Sequence, residues 1–126
     1  ILGIWLGMQL LTNSSEEGKE KGLGWIDAQT MKFDLEDKSL SIPHMGWNKR
    51  NATNTNNIFK NLEDNRFYFV HSYHVVCNNK KNILATANYG QTFTCSIYKD
   101  NIYGVQFHPE KSHKFGMQLL KNFGDM

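Results

Sequence analysis

At 126 residues the chain has room for one domain at most. Its 40% hydrophobic content suits a globular core, and its net charge of +2 is too small to predict a nucleic-acid or membrane-binding surface. No apolar run approaches the ~20 residues that span a bilayer, no signal-peptide pattern is visible, and the two cysteines, Cys77 and Cys95, lack metal-ligand spacing, so reduced thiols in a cytoplasmic protein are expected rather than a disulfide.

The chain opens with Leu2-Gly3-Ile4-Trp5-Leu6-Gly7-Met8-Gln9-Leu10-Leu11, a stretch without charge. Residues 1–5 read as a fully buried strand of parallel-sheet type, and Leu6 to about Thr12 as a short helix. Gly-x-nucleophile-x-Gly between strand and helix is the form of a nucleophile elbow, which thrusts its central side chain into a cleft. A thiol or hydroxyl there makes a covalent catalyst; the Trp5 indole supplies neither. Because the chain starts inside an apolar run, it reads as the C-terminal part of something longer. Its sheet would then lack N-terminal neighbours and favour association.

Asn13 to Gly18 is a polar loop. Gly22 to Ala28 and Met31 to Phe33 suggest extended structure, followed by a turn over Asp34 to Ser39. Ser41 to Asn48 reads as a short strand entering a Gly-containing loop. Asn51 to Asn57 is a polar surface loop, and Ile58 to Leu62 a short helix. Arg66 to His71, Ile83 to Asn88, Phe93 to Tyr98 and Ile102 to Phe107 carry the β-branched and aromatic content of strands, with a hairpin turn at Lys99-Asp100-Asn101. Ser112 to Phe123 is a closing helix, capped by Ser112, with Phe115, Leu119, Leu120 and Phe123 at helical spacing.

The strand ending in Tyr103-Gly104-Val105-Gln106-Phe107 runs into His108-Pro109-Glu110. Alternation along an extended segment would put His108 and Glu110 on one side, where a carboxylate can orient an imidazole that takes a proton from a nucleophile. His71 and His74 are joined by no further ligand, so no metal site is expected. His44 and Trp47 read equally as loop packing and as contact with a partner.

The elbow, the His-Pro-Glu and the closing helix resemble the class I (triad) glutamine amidotransferases. Ile42-Pro43-His44-Met45-Gly46-Trp47-Asn48 and Tyr68-Phe69-Val70-His71-Ser72-Tyr73 resemble, more narrowly, the glutaminase subunits of imidazole glycerol phosphate synthase. The resemblance implies an α/β fold: the C-terminal part of that family's domain, a mostly parallel sheet flanked by helices with added antiparallel strands. It implies a glutaminase whose elbow Cys attacks glutamine, forms a glutamyl thioester and releases ammonia to a (β/α)8-barrel cyclase. Position by position, Trp5 stands where that Cys would be, His108 matches the general base and Glu110 its orienting carboxylate. Gln9, Ser72 and Tyr73 match positions that hold glutamine, and the Leu6 N–H matches one oxyanion donor. No cofactor, metal, nucleic acid or membrane partner is implied. The departure at Trp5, with the family's Gly-rich oxyanion loop absent, predicts an inactive copy. The alternatives are a pseudo-glutaminase that only docks on its partner, and a paralogue supplying ammonia for sugar modification in surface polysaccharides.

Overall fold

The computed structural model describes residues 1–52, 57–62 and 66–126. Strand β1 (Leu2–Ile4) runs into helix α1 (Leu6–Leu10), then β2 (Ser14–Ser15), β3 (Ala28–Lys32), β4 (His44–Lys49) and β5 (Asn51–Ala52). After a 3-10 turn over Asn57–Phe59 come β6 (Arg66–His71), β7 (Tyr73–Cys77), β8 (Ile83–Asn88), β9 (Thr92–Lys99), β10 (Ile102–Val105) and the closing helix α2 (His113–Gly124).

The main sheet runs β1-β10-β9-β7-β3-β2, with β8 also on β9 and β5 on β8; β4 and β6 form a separate two-stranded sheet. The α/β class agrees with expectation. The parallel component lies in two pairings, β1 with β10 and β2 with β3, and the other pairings among the described residues are antiparallel. Strand β1 is not buried throughout as expected: it ends the sheet path, and Leu2 and Ile4 are half-buried. An edge strand lacks the second neighbour that would cover it.

Local rules account for most elements. β9 and β10 meet at the hairpin expected at Lys99 to Asn101, with Asp100 at φ 53, a left-handed position that Asp tolerates. Tyr73–Cys77 was not read as a strand from sequence, yet β7 pairs with β3 from Ala28↔Cys77 to Lys32↔Tyr73. The stretch before β3, Gly22 to Ile26, is irregular rather than extended, and the Gly-containing loop expected near Gly46 is the middle of β4. The polar loop expected over Asn51 to Asn57 begins instead as β5, and its residues 53–56 lie outside the described set.

Two apolar clusters flank the sheet. The larger gathers Phe33, Phe67, Phe69, Phe93, Phe107 and Leu119, with the Phe67 and Phe107 rings stacked at 4.0 Å. The smaller places Met8 and Leu11 of α1 against Ile26, Val75 and Ile97. In α2, Leu119 is buried as the spacing predicted, but so is polar Asn122, whose amide donates to the Ile58 and Lys60 carbonyls at 2.9 and 2.7 Å.

Candidate functional site

The turn from β1 into α1 has the geometry of an elbow. Trp5 sits at φ 52, ψ −109, a conformation that costs a bulky L-residue ~1–3 kcal/mol and persists only where its surroundings impose it. Its N–H donates to the Val105 carbonyl of β10 at 2.9 Å, and its carbonyl accepts from the Gln9 N–H at 3.3 Å. Gly3 explains the tightness: a Cβ there would fall 2.6 Å from the Gly7 carbonyl oxygen. Gly7 itself faces open space, so of the two glycines Gly3 carries the close approach. The Trp5 side chain is 41% exposed.

His108 arrives from β10. Its N–H donates to the Tyr68 carbonyl of β6 at 2.9 Å, and its own carbonyl accepts from the Ser112 hydroxyl at 2.6 Å. Ser112 also accepts the Tyr68 N–H at 2.9 Å. It stands at the N-cap of α2 but makes no side-chain cap; its hydroxyl ties the His108 backbone to β6 instead. Glu110 does lie beside His108, with Nδ1 and Oε1 2.5 Å apart. The route differs from the expected strand alternation. β10 ends at Val105, and a 3-10 turn over Pro109–Lys111 brings the carboxylate round. A carboxylate only accepts, so the Nδ1 proton points at Glu110. His108 Nε2 is buried and has no partner. The Trp5 and His108 rings lie with centroids 5.5 Å apart and planes tilted by 38°.

Elbow, imidazole and carboxylate are thus assembled as a nucleophile–base–orienter set would be, with an indole at the first position. Leu6 opens α1, so its N–H has no acceptor inside the helix. Gln9 lies one turn on, 5% exposed, its Nε2 donating to Gln106 Oε1 at 3.4 Å while Gln9 Oε1 and Gln106 Nε2 are buried without partners. Gln106 was not singled out from the sequence, although it precedes His108 by two residues. Gln9 also lines a cleft of about 500 Å³ with Leu6, Leu10, Ser14, Glu17 and Lys21. Neither Trp5 nor His108 lines it.

Ser72 and Tyr73 sit at the corner between β6 and β7. Their carbonyls are engaged, Ser72 by the Phe33 N–H at 3.0 Å and Tyr73 by His71 Nδ1 at 2.8 Å. His44 and Trp47, read equally as packing or contact, separate. His44 is buried, stacked between Phe69 and Tyr89. Trp47 is 46% exposed and stacks on His113 at 5.5 Å. Among the described residues, no three His, Cys, Asp or Glu side chains cluster as metal ligands. Cys77 and Cys95 are free thiols, which burial pushes up to about 11 and about 12. No helix of the described residues is long and apolar enough to cross a membrane.

With this geometry the chain belongs to the class I glutamine amidotransferase family, whose model, "Glutamine amidotransferase class-I", matches residues 1–125. Within it, the chain is similar to imidazole glycerol phosphate synthase subunit HisH 2 of Methanococcus maripaludis, 63% identical over 124 residues, covering 98% of this chain and 61% of that protein. It is also similar to subunit HisH of Leptospira borgpetersenii, 54% identical over 129 residues, covering all of this chain and 63% of that protein. The chain therefore spans about three-fifths of the length of these relatives. A crystal structure from Thermoplasma acidophilum, of a protein described as part of a GMP synthase, shares the fold, with a TM-score of 0.68 at 23% identity over 97% of this chain and 54% of its own.

Proposed function

We propose that this chain carries the base half of a glutaminase site belonging to an imidazole glycerol phosphate synthase, in a copy that does not turn glutamine over. One observation carries the reading: the His108–Glu110 pair, its Nε2 buried and unpartnered among the described residues, lies 5.5 Å ring to ring from an elbow whose side chain is an indole. In a working site, a thiol at position 5 would pass its proton to His108 Nε2 and attack the carboxamide carbon of glutamine. The oxyanion would be met by the Leu6 N–H, and His108 would return the proton to the leaving ammonia. Glu110 would hold the imidazole throughout. Trp5 has no atom that can make the bond, and its ring stands 5.5 Å from the His108 ring.

Likeness to the synthase subunits supports a cytoplasmic protein that docks on a barrel-shaped cyclase. A docking-only role is favoured by β4, which turns Met45 and the Trp47 indole outward. The test is glutamate release from glutamine with the cyclase and its nucleotide ligand present, beside a binding measurement between the two chains. Background turnover with binding is expected. Turnover that depends on His108 would overturn the inactive reading, and a folded chain that does not bind the cyclase would overturn the partner.

A further inference from the structure

A chain of hydrogen bonds runs through the buried histidines of the two-stranded sheet, and its ends determine every proton in it. The Tyr73 carbonyl can only accept, so His71 Nδ1, 2.8 Å away, carries a hydrogen. Burial keeps both histidines neutral, holding His71 at about 3 and His44 at about 4. His71 Nε2 is therefore bare and accepts from His44 Nδ1 at 3.0 Å. That leaves His44 Nε2 bare, facing the Asn48 amide at 3.4 Å. The orientation of Asn48 follows independently, because its Oδ1 accepts the Lys49 N–H and its Nδ2 donates to the Asn88 carbonyl at 2.7 Å. The series thus begins on β7, crosses β6 and β4, and ends on β8.

The end that matters is the first. His71 holding the carbonyl two residues on closes the tight turn through Ser72, which the Phe33 N–H pins from the other side. We propose that His71, its tautomer set by the Tyr73 carbonyl and its bare Nε2 held by the His44 donor, is the positioning residue for the Ser72–Tyr73 corner, and that this corner's shape governs its grip on an amino-acid amide. The second half rests on the glutaminase reading above; the first does not. The ring nitrogens of both histidines are engaged with each other, with Asn48 and with the Tyr73 carbonyl, so the role argued for them is to position.

Nitrogen NMR of the whole chain tests the tautomers. The expected result is His71 and His44 both neutral and both protonated on Nδ1 at pH 7; a neutral His71 protonated on Nε2 would overturn the proposal. Substitution tests the corner. His44→Asn keeps a donor near the Nδ1 position and is expected to leave the Ser72 and Tyr73 amide resonances in place, whereas His44→Leu and His71→Leu shift them. Unchanged resonances in a folded His71→Leu chain would overturn the positioning role, and should that variant not fold, the tautomers and His44→Asn still decide. Glutamine affinity of the same chains separates the two halves. An approximately tenfold weaker Kd in His71→Leu, with His44→Asn close to the parent, supports the amide grip, and equal Kd values overturn it. A parent chain that binds no glutamine while the corner shifts as expected would overturn the amide grip in this chain and leave the positioning role standing, whereas the glutaminase reading falls or stands on the glutamate-release and cyclase-binding measurements above.

Discussion

Trp5 occupies a backbone conformation that suits a small nucleophile in an elbow, and it does so beside an imidazole whose Nδ1 lies 2.5 Å from Glu110 Oε1. A thiol introduced at that position would inherit the arrangement. In Trp5→Cys the new thiol is expected to react with iodoacetamide at pH 7 at least ~10-fold faster than Cys77 or Cys95, whose burial keeps them protonated. Mass spectrometry of the modified peptides measures this, and adding His108→Ala should abolish the advantage. The buried histidines make a second prediction. The folded chain refuses the protons that unfolded histidines take up near 6.5, until about pH 4 at His44 and lower still at His71. Stability is therefore full above about pH 6.5 and falls on acidification below it, by up to ~1.4 kcal/mol per pH unit for each imidazole. His74, also lowered by burial, adds in the same direction. Asp27 and Asp37, lowered from 3.8 by hydrogen bonds, act only at lower pH. Urea unfolding at pH 7.5 and pH 5 should show a clearly lower midpoint at pH 5, and equal midpoints would contradict the neutral assignment.

Among the elements, the 3-10 turn over Pro109–Lys111 decides whether Glu110 reaches His108, and α2 sets where that turn lies. A Cβ at Gly116 would fall 1.6 Å from the Pro109 carbonyl oxygen, so helix and turn touch backbone to backbone. Gly116→Ala is expected to cost ~1–3 kcal/mol by overpacking and to displace Glu110, read as a lower denaturant midpoint together with a changed His108 ring resonance. A stability loss with His108 unmoved would show that the turn is held from β6 alone. The α2 periodicity in the sequence located Leu119 correctly but not Asn122, because an apolar pattern carries no signal for a polar side chain buried to meet two loop carbonyls.

Across the molecule, β1 is an end strand with one neighbour, β10, whereas β9 pairs with β10, β7 and β8. Local opening follows that gradient. Hydrogen exchange should therefore be slowest in the middle of β9, around Cys95 to Ile97, and faster by ~10-fold or more in Leu2 to Ile4. Comparable protection in the two segments would mean that the free edge of β1 is covered in solution.

The sequence alone determined the elbow, the His108–Glu110 pair, the family resemblance, and the strands β6, β8 and β9 almost to the residue. Each of these depends on contiguous or closely spaced residues: glycine spacing, a carboxylate two residues from an imidazole, runs of aromatic and β-branched side chains. Only the tertiary structure decided that Ser112 braces His108 rather than capping α2, that Gln106 meets Gln9, and that His44 and His71, 27 residues apart, share a hydrogen bond. His44 and His71 lie on β4 and β6, Gln9 on α1 and Gln106 just past β10, and the Ser112 hydroxyl is held between His108 and Tyr68 of β6, so each contact depends on how separate elements pack and on strand register rather than on neighbours along the chain.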